Sequence, residues 1–106
     1  MIGCRPPKTP YPASLISERP AERVAAIKYA AEIKDQSVIN ILVDRLEDED
    51  EAVRFFAIIA LEKLIGDRQG YDYHASPGER SRAVRRWRRY LAEANTVSQD
   101  SNGGAQ

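Results

Sequence analysis

Residues 46–65, LEDEDEAVRFFAIIALEKLI, are an acidic turn followed by a stretch that is apolar on nearly every side when wound as a helix. At 100° per residue, Val53, Ala57, Ile58, Ala60, Leu61, Leu64 and Ile65 share one broad face with Phe56 at its edge. Only Arg54, Glu62 and Lys63 interrupt the apolar surface. Phe55 and Ile59, four residues apart and therefore neighbours, carry it onto the side that a surface helix keeps polar. Such a helix needs cover on several sides. A chain of 106 residues has to supply that cover within one domain of about 80 ordered residues.

The flanking segments offer it in helical form. Ser17 and Pro20 mark a helix start, because Ser caps orphan amides and Pro is tolerated in the first turn. In the helix expected over about 18–33, Val24, Ala26, Ile27, Ala30, Ala31 and Ile33 form one stripe, with Glu22, Lys28 and Glu32 off its centre. Leu15 and Ile16 either staple onto the first turn or belong to a short preceding helix. Asp35 caps a second helix over about 36–47, in which Val38, Ile39, Ile41, Leu42, Val43 and Leu46 oppose Ser37, Asn40, Asp44 and Glu47. Asp48, Glu49 and Asp50 then place carboxylates at the N-terminal amides of the central helix, and Gly66 ends it as a C′ glycine does. No segment alternates with period two, so the expected class is all-α.

Ser76-Pro77-Gly78-Glu79 reads as a capping box opening a last helix over about 77–94. Its buried stripe is Val84, Trp87, Leu91 and Ala94, flanked by Ala83 and Tyr90, with Arg82, Arg85, Arg86 and Arg89 opposite. This helix is expected to seal the central one. The domain plan is a Pro-rich tether over 1–16, a helical domain over 17–94 and a polar, disordered tail over 95–106.

Charge excludes bulk attraction to nucleic acid or membrane, since Lys plus Arg and Asp plus Glu balance at 16 each. The distribution is bipolar nonetheless. Residues 44–51 hold six acids and one Arg, and residues 77–94 hold six Arg against Glu79 and Glu93. The single cysteine, Cys4, excludes an internal disulfide and a multi-cysteine metal site.

The central helix has a partner in the pattern itself. At an offset of 31 residues Arg23 matches Arg54, Ala26 matches Ala57, Ile27 matches Ile58, Ala30 matches Leu61 and Ile33 matches Leu64. A period in this range is the signature of stacked helical units, each too small to bury its own apolar face. The run Leu46-x-Asp48-x-Asp50-x-x-Val53-Arg54-x-x-Ala57-x-x-Ala60-Leu61-x-x-Leu64 resembles the second half of a HEAT repeat. Residues 36–65 look like one complete repeat, and Arg23 to Ile33 like the second helix of a degenerate preceding one. The resemblance implies antiparallel helix pairs in a short right-handed α-solenoid, and a family that works mainly by offering surfaces to other macromolecules. It also implies a structural role for Asp48 or Asp50 with Arg23 and Arg54, which in that family join neighbouring repeats. The Gly-Tyr-rich loop and Arg/Trp helix resemble the ending of short bacterial HEAT-like proteins.

No set of residues points to an enzyme. His74 stands near Asp72 and Tyr73, but no Ser or Cys nucleophile accompanies it, and a loop histidine beside packed tyrosines accounts for the pattern. The carboxylates of 44–51 lack the spacing and turn glycine of an EF-hand, so no metal, cofactor or catalytic residue is assigned. Trp87 lies in the apolar stripe and is assigned to the core, not to a nucleic-acid base.

The expected function is a noncatalytic protein-interaction or scaffolding unit, with Arg82, Arg85, Arg86, Arg89, Phe55 and Ile59 as partner-binding residues. The arginine ridge reads either as a solvated face, as a site for an acidic protein, or as a phosphate-contacting surface that would make the chain a nucleic-acid-binding accessory. A small lyase or a chaperone for a bound ligand is a further alternative implied by the resemblance. Opposite charges on one molecule also permit weak head-to-tail self-association. No apolar run is long enough to span a bilayer, which reads as a soluble, cytoplasmic chain. Ile2-Gly3-Cys4 before a Pro-rich stretch alternatively resembles the end of a lipoprotein signal, with Cys4 lipidated in the cell envelope if the true start lies upstream.

Overall fold

The computed structural model describes residues 8–104, with side chains through residue 96. Cys4 and its surroundings lie outside the described residues. Every regular element among those described is helical: a 3₁₀ turn at Ala13–Ile16, α1 at Pro20–Glu32, a 3₁₀ turn at Gln36–Val38, α2 at Ile39–Arg45, α3 at Glu51–Ile65 and α4 at Pro77–Gly104.

The first 3₁₀ turn settles the reading of Leu15 and Ile16: they belong to a short preceding helix. Leu15 is fully buried and joins the core, so packed structure begins before residue 17. Ile16 points to solvent. Pro20 takes the first position of α1 as expected, but the cap residue is Arg19, not Ser17. The Ser17 hydroxyl instead accepts from the Arg19 amide at 3.1 Å and donates to Glu22 Oε1 at 2.6 Å, fastening the first turn from outside it. At the other end Lys34 adopts φ 54° and the Asp35 amide reaches back to the Ala30 carbonyl at 3.0 Å. That left-handed residue ends α1 and turns Ile33 outward. Ile33, expected in the buried stripe, is 49% exposed for this reason.

Asp35 does cap the next element, accepting from the Ser37 amide at 3.0 Å, but the element opens as a 3₁₀ turn and α2 proper is shorter than the pattern suggested. The tight bonds from Leu46, Glu47 and Asp48 amides to carbonyls three residues back close it early. Asp50 caps α3 by accepting from the Val53 amide at 3.1 Å, and Gly66 ends it at φ 93°.

α1 and α3 pack side by side, and α2 lies against α3. The shared core is Ala26, Ile27, Ala30, Leu42, Val43, Leu46, Val53, Ala57, Ile58 and Leu61, with Ala83, Val84 and Trp87 from α4. Leu64 and Ile65 are only half-buried because the helix runs out there. α4 lies chiefly along α2, and its Ala83, Val84 and Trp87 join the same core as the buried side of α3. Cover for the outer side of α3 comes from the loop after Gly66, whose Tyr73 ring meets Phe55 edge-on at 5.0 Å between centroids. α4 also runs to Gly104, ten residues beyond its expected end at 94, into the segment expected to be disordered. The buried stripe stops at half-buried Leu91, and Ala94 is exposed. No proline or glycine interrupts residues 79–102, so nothing in the chain stops the helix where the core ends.

Candidate functional site

The polar centre of the molecule is the turn between α2 and α3. Asp48, nearly fully buried, accepts from Arg23 Nη2 at 2.9 Å, Arg45 Nη1 at 3.3 Å and the Asp50 amide at 2.9 Å. Arg23 also donates to the Ser17 carbonyl at 2.6 Å. Arg54 finds carbonyl oxygens instead: Asp48 at 2.8 Å, Glu49 at 3.3 Å and, through Nε, Tyr73 at 3.3 Å. Arg23 and Arg54 are 6% and 9% exposed, so most of both guanidiniums is spent on contacts inside the molecule, although Arg23, Arg45 and Asp48 also line an open pocket with Ser17 and Glu49. Of the two turn carboxylates, Asp48 joins Arg23 while Asp50 serves only as the helix cap.

Tyr71 completes the junction, and the sequence reading assigned it no role. Its hydroxyl donates to the Leu46 carbonyl at 2.5 Å, and burial pushes the phenol up to about 12, so it remains a donor at any physiological pH. The available signal was the Gly-Tyr-rich composition of its loop.

The acidic segment is largely consumed within the molecule. Asp44 pairs with Arg88 at 2.9 Å, Glu47 accepts from Ser81 at 2.7 Å, and Glu51 Oε2 lies 3.2 Å from His74 Nδ1. The charge separation seen along the chain is thus partly cancelled in space, because α4 lies against the turn. Asp72 accepts from the His74 backbone amide at 2.9 Å, and the carboxylate beside the His74 imidazole is that of Glu51.

The six α4 arginines divide into two sets. Arg80 donates to the Ala75 carbonyl at 2.6 Å, Arg88 pairs with Asp44, and Arg86 donates to the Gln69 carbonyl at 3.0 Å and the Gly70 carbonyl at 3.3 Å. Arg86, expected in the ridge, is therefore pinned to the loop. It packs where Gly70, at φ 74°, has no side chain; an added Cβ would lie 2.9 Å from Arg86 Nη2. Arg82, Arg85 and Arg89 remain exposed, with no partner among the described residues. At 100° per residue they span about 60° of one face.

The two apolar candidates also separate. Ile59 lines a groove of about 220 Å³ between α1 and α3, with Ala31 and Ala60 at its base and Lys28, Phe56 and Lys63 around it. Phe55 is held by Phe56 and Tyr73 on the loop side, at 5.1 and 5.0 Å between centroids. A larger groove of about 430 Å³ runs between residues 8–14 and α1, past Tyr11, Ala21, Ala25 and Tyr29. Tyr11 is anchored there by donating to Asp35 Oδ2 at 2.8 Å, and burial, followed by that hydrogen bond, raises its phenol far above the ordinary tyrosine range.

Among the described residues, no helix is long and apolar enough to cross a membrane, and no three His, Cys, Asp or Glu side chains are grouped to hold a metal ion. The family model described as HEAT repeats matches residues 13–73, more than half of the chain. Comparison with curated proteins and with solved structures found no match.

Proposed function

Because the chain belongs to the HEAT-repeat family, we propose that it is a noncatalytic interaction module that docks an acidic protein surface on α4. One observation carries this reading: three of six arginines in the helix form a single exposed row, and the other three are tied down. The row costs stability. Arg82 with Arg85, and Arg85 with Arg89, are like charges at helix spacings, each worth about 0.2–0.5 kcal/mol of repulsion. Among the described residues none of the three guanidiniums has a hydrogen-bond or ion-pair partner, and an acidic partner would relieve the repulsion. Guanidinium groups suit the task because they bind carboxylates through two parallel hydrogen bonds.

The test is binding of a fluorescein-labelled polyglutamate peptide to the full chain and to Arg82→Gln/Arg85→Gln/Arg89→Gln. Salt-sensitive binding to the native chain, lost in a triple variant with unchanged circular dichroism, is the expected result. Equal binding by the two proteins leaves the row a solvated face. A single-stranded oligonucleotide that binds more tightly than the peptide favours the nucleic-acid reading instead.

A further inference from the structure

We propose that the groove between α1 and α3 is a second docking site, which takes one aliphatic or aromatic side chain presented by an acidic segment of a partner protein. The proposal is independent of the arginine row, which lies on another helix. At the base of the groove the residues are Ala31 and Ala60, small enough that the two helices leave about 220 Å³ open between them. Phe56 and Ile59 are half-buried there and form apolar walls. That shape and lining suit a single apolar anchor.

The rim determines what carries the anchor. Lys28 rises from α1 and Lys63 from α3, one on each side. Neither ammonium has a carboxylate within ion-pair distance among the described residues. Lys28 Nζ sits 5.4 Å from the Phe56 ring centroid, so the positive charge is held over the opening. Glu32 is the one acid on the rim. The balance favours a segment with acidic residues on both sides of its anchor, which would meet one lysine on each wall.

The partner probe is a short amidated peptide of Ala and Glu with one central Leu, labelled and titrated against the full chain by fluorescence anisotropy. Two control peptides replace the Leu by Ala and the Glu residues by Lys. The expected result is saturable binding of the Leu-Glu peptide, weakened at least about tenfold by Lys28→Glu/Lys63→Glu, by Ile59→Ser and by loss of the Leu. The arginine triple variant separates the two sites: it retains the dependence on Leu and on Ile59. Unchanged thermal melting in the lysine variant keeps the comparison valid, and both lysines are exposed. Binding indifferent to the central Leu, binding that survives both groove variants, equal binding of the Lys peptide, or no saturable binding overturns the proposal.

Discussion

Arg23 and Arg54 occupy equivalent points of two helices and are buried to nearly the same degree, yet they find different acceptors. Arg23 reaches the carboxylate of Asp48, in the turn of the following repeat. Arg54 is followed by the loop after Gly66, and it ends on the carbonyls of Asp48, Glu49 and Tyr73. A buried guanidinium must have acceptors, and the two helices supply them differently. At Arg23 the turn after α2 provides a charged side chain; at Arg54 that turn and the loop after α3 provide backbone oxygens. The same contrast extends to apolar surface. Ile16, Tyr29 and Ile33, on the α1 side, are exposed, while Tyr71, Val84 and Trp87 are buried on the α4 side.

The largest effect tests whether the two ends differ in cover as well as in polar partners. Ala57 and Ala26 are matched positions, but Ala57 is fully buried in the central helix and Ala26 borders the open groove beside Tyr11. Ala57→Asp is expected to unfold the protein, since an unpaired buried charge costs several kcal/mol against a total stability of about 5–15. Ala26→Asp should cost markedly less, because its carboxylate can reach water through the groove. Urea unfolding of both variants decides it, and equal midpoints would mean that the ends are covered alike.

Next in size is the charge itself. Asp48→Asn retains an acceptor but leaves Arg23 and Arg45 without their carboxylate, and a loss of about 3–5 kcal/mol is expected in the urea-derived stability. A change below about 1 kcal/mol would place Asp48 among weak surface pairs and remove the distinction from Arg54.

The smallest effect concerns the start of α1. Hydrogen bonds from Ser17 and then Arg19 hold the Glu22 carboxyl down to about 2, from an ordinary 4.5. A lowered carboxyl contributes stability that is fully present above its unfolded value and is lost as pH falls from 4.5 through about 2. A carboxyl ¹³C titration should show this midpoint, and Ser17→Ala should raise it. A midpoint near 4.5 in the native chain would show that the Ser17 fastening does not persist in solution.

The sequence by itself determined the helical class and the repeat, because these depend on local periodicity and on spacing along one chain; Arg23, Arg54 and Asp48 of the junction followed from the family resemblance, and Tyr71 and Arg45 emerged only in the packed structure. Capping chemistry was legible for the same reason at Asp35, Gly66 and Ser76, where the signal and its target lie within a few residues. Only the tertiary structure decided which charges remain available. A helical wheel puts Arg82, Arg85, Arg86 and Arg89 on one ridge, but it contains nothing of the loop whose carbonyls take Arg86. Likewise Phe55 and Ile59 are neighbours on α3, and different surroundings divide them between the Tyr73 contact and the groove. The acidic turn and the basic helix are far apart in sequence and meet at Asp44 and Arg88. Hydrogen bonds and ion pairs act over a few ångströms of space, so the chain distance that separates their partners conceals them until the helices are packed.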